Sequence, residues 1–216
     1  MKKDFADVSF VLDRSGSMQS VRDDTIGGFN SFIEAQQKQP GECVASLLQF
    51  DDKFDVLYEA KPIKDVPKLN NETFVPRGGT ALLDAIGRTI NETGKRLSLT
   101  PEDSRPEKVI FVILTDGGQN CSKEFTHARI KEMINHQTDV YKWDFVFIGA
   151  NQDAIQTGDS IGIASGKSMT YASNAMGTAN AFRSMSKYVS TARASYNVAD
   201  VNFDQEDRDA QSKAGA

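Results

Sequence analysis

The sequence predicts an α/β fold of the doubly wound kind, a mostly parallel sheet with helices on both faces. Three observations carry that prediction. Apolar runs of strand length are each followed by a polar loop and then by a segment whose apolar residues recur at helical spacing, which is the pattern of a parallel sheet with crossover helices. One run, "KVIFVILT" at 108–115, is apolar almost throughout, as a central strand covered on both faces must be. Finally, "CVASLLQF" (43–50) and "FDVLYEA" (54–60) are separated only by "DDK", too short for a crossover helix. These two runs should pair antiparallel as a hairpin, with the second at the sheet edge.

The elements follow in order. "DVSFVLD" (7–13) is the first strand, and Ile26, Phe29, Phe32 and Ile33 mark a helix that Pro40 and Gly41 terminate. The hairpin comes next, then the irregular stretch 61–79. Leu83, Ile86 and Ile90 mark a second helix with Thr80 near its start, ending around 96–108. After the central strand, Phe125, Ile130, Met133 and Ile134 mark a third helix. "WDFVFIGA" (143–150) is another buried strand and "KSMTYA" (167–172) a weaker one, while Phe182, Met185 and Val189 mark the last amphipathic helix. Residues 1–199 are thus expected to form one domain. "DVNFDQEDRDAQSKAGA" (200–216) is acidic and aperiodic and is expected to be a flexible tail.

Composition narrows the function. With 39% hydrophobic and 25% charged residues, and no apolar run near the roughly 18 residues of a membrane span, a soluble protein is expected. The N-terminal "MKKDFADVSF" reaches Asp4 and Asp7 before any secretory apolar stretch. Cys43 and Cys121 lie far apart and form no C-x-x-C, which favours reduced thiols in a cytoplasm over a disulfide framework or a zinc site. A net charge of -5 argues against nucleic acid and anionic membrane as partners, because such binding neutralises phosphates with Lys and Arg.

The chemistry concentrates at three loops. In a parallel sheet the carboxyl ends of the strands share one edge, so Asp13, ending the first strand, and Asp116, following "FVILT", face the same side. Where strand order reverses beside the first strand, these loops flank the crevice in which ligands bind. Thr80, at the start of a helix packed on the sheet, completes a ring of oxygen donors: Asp13, Ser15, Ser17, Thr80 and Asp116. Oxygen donors without His or Cys select a hard cation, magnesium first, with manganese or calcium as alternatives. Three of the donors are neutral hydroxyls, so the ion would stay electropositive and favour a carboxylate supplied from outside.

"DRSGSM" (13–18), "RGGTALLDA" (77–85) and "TDGG" (115–118) together resemble the three parts of the metal-ion-dependent adhesion site of von Willebrand factor A domains. The resemblance spans roughly residues 5–195. It implies a six-stranded sheet of order 3-2-1-4-5-6 with an antiparallel edge strand. It also implies that Ser15, Ser17 and Thr80 are hydroxyl ligands, while Asp13 and Asp116 bind the ion directly or through water. Members of this family use the metal to dock an acidic residue of a protein partner. Intracellular bacterial members act as adaptors beside ATPases, chelatases and stress systems such as tellurite resistance. The expectation is therefore a free-standing cytoplasmic adaptor that binds a protein presenting Asp or Glu, without a catalytic site.

Rival readings meet specific obstacles. "DRSGS" alone is an ordinary turn or helix cap, and only Thr80 and Asp116 lift it above that. An EF-hand needs glycine at its sixth position and glutamate at its twelfth, where this chain has Met18 and Asp24. An aspartyl-phosphate phosphatase needs an acid where Ser15 stands. "ASGKS" (164–168) places Ile161 where a P-loop needs its first glycine. Ser15 or Ser17 as a nucleophile would need a base, and the only histidines, His127 and His136, fall in or near the third helix. A metal-dependent hydrolase or phosphotransferase using Asp13 and Asp116 remains the rival enzyme class. A homo-oligomer in which a tail acid, Asp204 or Glu206, fills a neighbouring copy's site is the rival structural class.

Overall fold

The computed structural model describes residues 1–215. Its twelve regular elements are β1 (Lys2–Asp13), α1 (Arg22–Gln37), β2 (Glu42–Phe50), β3 (Phe54–Pro62), α2 (Leu82–Leu99), β4 (Pro106–Thr115), α3 (His127–Tyr141), β5 (Asp144–Gly149), α4 (Ala154–Ser160), β6 (Ser168–Thr170), α5 (Ala175–Ala194) and α6 (Gln205–Gly215). The strands form one sheet of order β3-β2-β1-β4-β5-β6, parallel throughout except for the antiparallel β2–β3 hairpin. Order, edge strand and class are those expected from the sequence.

Strand alternation sends side chains to two cores. Ala6, Val8, Phe10 and Leu12 of β1 face α1 and α5, whereas Val11 faces α2 and α3. On the first side, Phe10 meets Phe29 and Phe32 of α1 edge-on at 5.2 and 5.4 Å and stacks on Phe182 of α5 at 6.2 Å. Gly28 permits this approach, since a Cβ there would stand 2.2 Å from the Phe182 ring. On the second side, Phe111 of β4 lies against Trp143 and Phe145 at 5.4 and 4.9 Å. Two helical layers therefore clamp β1 and β4 at the centre, so their carboxyl ends are held rigidly.

Four expectations need correction. β1 begins at Lys2 rather than Asp7 because its polar first residues still pair along β4, with Lys2 opposite Pro106. Phe125 precedes α3, which Thr126 caps by accepting from the Arg129 N–H. It packs instead against α2, where a Cβ on Gly87 would meet its ring. Helix α4 was not foreseen, because "AIQTGDS" is short and weakly apolar; Asp153 caps it by accepting from Ile155 and Gln156.

The largest correction concerns the expected flexible tail, whose residues 200–215 form an ordered strap ending in α6, with Ala216 outside the described residues. Val201 and Phe203 are buried, and the Phe203 ring lies 5.1 Å from Tyr188 of α5. Asp144 anchors the strap's approach: it pairs with Lys167 and accepts from Tyr188, while Lys167 also donates to the Val198 carbonyl. Ser184 donates to buried Asp207 at 2.8 Å, and Gln211 donates to the Gly177 carbonyl. The acidic composition hid these contacts because the buried positions are few and half of them are polar. Phe203→Ala should lower stability in urea by about 3 kcal/mol, the usual cost of emptying a buried aromatic site. An unchanged midpoint would mean that the strap contributes nothing to the fold.

Candidate metal centre

β1 and β4 place Asp13 and Thr115 side by side at the carboxyl edge, and the loops that follow supply the rest. Asp13, fully buried, accepts from the Ser15 N–H at 2.6 Å through Oδ1 and from the Thr115 hydroxyl at 2.5 Å through Oδ2. The chain then turns into a 3-10 segment, Gly16–Val21, with Met18 buried beneath it and Ser17 exposed above. The Ser17 hydroxyl donates to Asp116 Oδ1 at 2.5 Å, which leaves the Ser15 hydroxyl, 3.1 Å away, to donate to Ser17. Both serines thus spend their protons inward on a line ending at a carboxylate and keep lone pairs for a cation.

Thr80 arrives from a third loop. Its N–H donates to Asn120 Oδ1 at 2.9 Å and its carbonyl accepts from the Asn120 N–H at 3.1 Å, so the loop before α2 is fastened to the loop after β4. Gly117 reports the convergence: a Cβ there would stand 3.7 Å from Ser17 Oγ and 3.9 Å from Thr80 Oγ1. The hydroxyls of two loops therefore flank one point beside Asp116. Asn151 and Gln152, beyond β5, donate to the carbonyls of Asp116 and Gly117 at 2.8 and 3.0 Å and steady the backbone there.

Asp51, at the end of β2, is the hub that the sequence reading missed. Its carboxylate is fully buried and accepts from Arg14 Nε at 3.1 Å, Arg77 Nε at 2.8 Å and the Lys53 N–H at 2.6 Å. Its carbonyl accepts from the Ala81 N–H, while the Arg77 N–H donates to the Arg14 carbonyl and Gly16 N–H to the Gly78 carbonyl. Burial raises the Asp51 carboxyl, but the bonds from Arg77 and Lys53 and the charge of Arg14 outweigh it and leave it below its ordinary value. Gly78 sits at φ +66, and a Cβ there would stand 2.5 Å from Asp52, so only glycine makes this turn. The serine loop and the threonine loop are thereby locked to each other. A buried acid adjoining two arginines is the signal that would have found the hub, but it needs the strand order to be recognised.

The donor chemistry fits a hard cation. Asp116 Oδ2 is buried without a hydrogen-bond partner, an acceptor available for further bonding. Among the described residues no three His, Cys, Asp or Glu side chains converge, so the candidate set is two carboxylates with hydroxyls rather than an acid cluster or a soft-ligand site. Burial pushes the Asp13 carboxyl up to about 6 against the bonds from Thr115 and Ser15, and the charge of Asp116 adds to the rise. Burial likewise raises Asp116, against the bond from Ser17.

Of the other candidates, the histidines and Asp204 lie apart from this chemistry, whereas Cys121 donates its N–H to the Thr80 carbonyl at 3.4 Å. His127 is exposed at the start of α3, and His136 stacks edge-on against Tyr141 near that helix's far end. Cys121 lies beside Gly79, and burial raises its thiol above the ordinary value. Asp204 is bound by Lys187 of its own chain at 2.5 Å and caps Asp207 in α6.

No protein-family model matches the chain, and no curated protein matches it. Solved structures share its fold. A proximal thread matrix protein from the mussel byssus, solved with a zinc-occupied metal-ion-dependent adhesion motif, is 16% identical with a TM-score of 0.58, covering 88% of this chain and 47% of its own. The ArnB paralog VWA2 from Sulfolobus acidocaldarius is 15% identical with a TM-score of 0.55, covering 86% and 45%. The PilB minor pilin from Streptococcus sanguinis, a D319A mutant, is 14% identical with a TM-score of 0.50, covering 88% and 62%. The chain thus spans about half the length of the first two. Its architecture is that of a von Willebrand factor A domain, a Rossmann-like sheet.

The Asp13 shift sets a test without metal. The folded protein holds this proton more tightly than the unfolded chain, so on this group's account stability falls as pH rises from about 4 to about 6. Asparagine can keep both contacts, accepting from Ser15 and donating to Thr115, whose own proton turns to the Gly117 carbonyl at 2.9 Å. In chelator at pH 7, Asp13→Asn should be more stable than wild type, on the order of 3 kcal/mol, and the gain should nearly vanish by pH 4. A variant less stable than wild type at pH 7 would contradict this account of Asp13.

Proposed function

We propose that this chain is a cation-dependent protein-binding module. Asp13, Ser15, Ser17, Thr80 and Asp116 hold a magnesium ion, or manganese or calcium in its place, and a partner protein supplies an Asp or Glu. The observation that carries the reading is the line Ser15–Ser17–Asp116 beside buried Asp13, in which each serine donates its proton inward and keeps at least one lone pair unspent. When bound, the ion supplies Lewis acidity toward a carboxylate from outside. The protein's own residues orient the hydroxyls, hold the carboxylates apart from bulk water and keep the three loops in register through Asp51.

The five donors leave one position of an octahedral ion open, and a carboxylate that fills it comes from outside this set. The zinc in the mussel protein's motif accords with divalent occupancy of such sites, while the all-oxygen donors here favour a harder ion. We read the module as an adaptor rather than an enzyme, since Ser15 and Ser17 are hydrogen-bonded to each other and to Asp116 and not to a histidine. Cytoplasmic residence and a role in a stress system are part of the same proposal. No helix among the described residues is long and apolar enough to cross a membrane.

The test is capture of partners from native extract with magnesium, with chelator and with Asp13→Ala, alongside calorimetric titration of magnesium into both proteins. Asp13→Ala should weaken uptake by at least about a hundredfold, since even removal of groups behind the ligands costs ten- to a hundredfold. A partner should be retained only by wild type in magnesium and lost when its own docking acid is changed to alanine. Retention under all three conditions would overturn metal-mediated docking, and turnover of a phosphate ester abolished by Asp13→Ala would replace the adaptor with a hydrolase.

A further inference from the structure

Asp116 Oδ2 is not the only unpartnered polar atom at this end of the molecule. The hydroxyl of Tyr171, just beyond β6, is also buried without a hydrogen-bond partner, and the residue is 2% exposed. Burying a hydroxyl unpaired costs stability, so an orphan donor near an orphan acceptor needs a reason.

The sheet register shows how the two atoms are related. Thr115 pairs with Gly149 and Gly149 with Thr170, so the next residues, Asp116, Ala150 and Tyr171, stand in a row across three strands. The pairing continues into that row, with the Ala150 N–H donating to the Thr115 carbonyl and the Tyr171 N–H to the Gly149 carbonyl. Ala150 and Tyr171 both belong to the core beneath α1 and α5. Asp116 follows Leu114 of that core by two positions and so shares its face. Two steps across a sheet amount to about 10 Å, and the alanine between leaves that space to the phenol ring. Burial, then the charges of Asp116 and Asp13, raise the phenol well above its ordinary value, which keeps it protonated and a donor.

We propose that Tyr171 is a positioning residue of the ion site, its hydroxyl taking Asp116 Oδ2 as acceptor, directly or through one buried water, when the ion is bound, and so holding Oδ1 toward Ser17 and the ion. The proposal rests on the ion-site reading above. The strap fixes the donor: Gln211 of α6 accepts from the Ala172 N–H at 3.3 Å and donates to Gly177 at 3.1 Å, bracketing the loop that follows Tyr171. Residues 205–215 thereby act on the site from the far edge of the sheet.

The experiment compares wild type, Tyr171→Phe and Asp13→Ala by calorimetric titration with magnesium chloride, by tyrosine difference absorbance during the titration, and by thermal melting in chelator. Tyr171→Phe should bind magnesium roughly tenfold more weakly and lose the tyrosine difference signal. It should melt in chelator no lower than wild type, because the deleted hydroxyl has no partner there. A purely structural tyrosine would lower the melting point and leave affinity alone. Wild-type affinity in Tyr171→Phe, or an undiminished tyrosine signal, would overturn the assignment while the ion site stood. Absence of magnesium uptake by wild type would overturn both.

Discussion

The carboxyl edge exists because β1 and β4 are neighbours and run in the same direction. Their register sets Leu12 opposite Leu114, so each strand ends where the other does and Asp13 meets Thr115 across the gap. An antiparallel β4 of the same ten residues would carry Asp116 about 30 Å away, to the opposite edge. The apolar character of β1 and β4 is therefore a functional requirement as well as a packing one. Covered on one face by α1 and α5 and on the other by α2 and α3, these strands are held in that register by packing on both sides.

Register alone leaves the loops free, and Asp51 removes that freedom. It adjoins Arg14 and Arg77, and Asp55 faces the same pair of guanidiniums. Two acids and two arginines cancel, so the hub ties the serine loop to the threonine loop without adding a net field at the carboxylates of Asp13 and Asp116. A buried ion pair is a poor source of stability, because desolvation offsets most of the attraction. Its value here is geometric, because it sets where Ser15, Ser17 and Thr80 stand relative to one another.

The sheet was legible in the sequence because its information is periodic: apolar runs, their spacing and one three-residue hairpin loop specify class and edge, while the strand order was what the resemblance implied. The meeting of the candidate donors was legible because each lies close to a strand or helix end, where a parallel sheet brings it to the carboxyl edge. Asp51, Tyr171 and α6 were not, for a common reason. Asp51 is an ordinary acid in a tight turn until Arg14 and Arg77 are brought to it from two other loops. Tyr171 is an ordinary core aromatic until Ala150 is known to separate it from Asp116. In α6 the contacts come from isolated residues, Phe203, Asp207 and Gln211, whose partners lie in α5 and the preceding loop. Sequence patterns display what repeats along a chain, and these interactions occur once each, between segments that only the folded topology makes adjacent.

The polar atoms that the fold leaves unsatisfied point the same way as its satisfied ones. A chain selected for stability alone would not bury two carboxylates within electrostatic reach of each other, raise both above their ordinary values and leave one oxygen of the pair unbonded. Each of these features costs free energy in the protein alone, and each would be relieved by the divalent cation proposed above, which would neutralise both charges and draw on the free lone pairs. Any ligand that binds only the folded state stabilises it in proportion to the logarithm of its concentration, so a site built this way couples the order of three loops to the presence of the ion. On the proposed reading, α6 bears on the same edge, because Gln211 fastens the loop that follows Tyr171 to the start of α5.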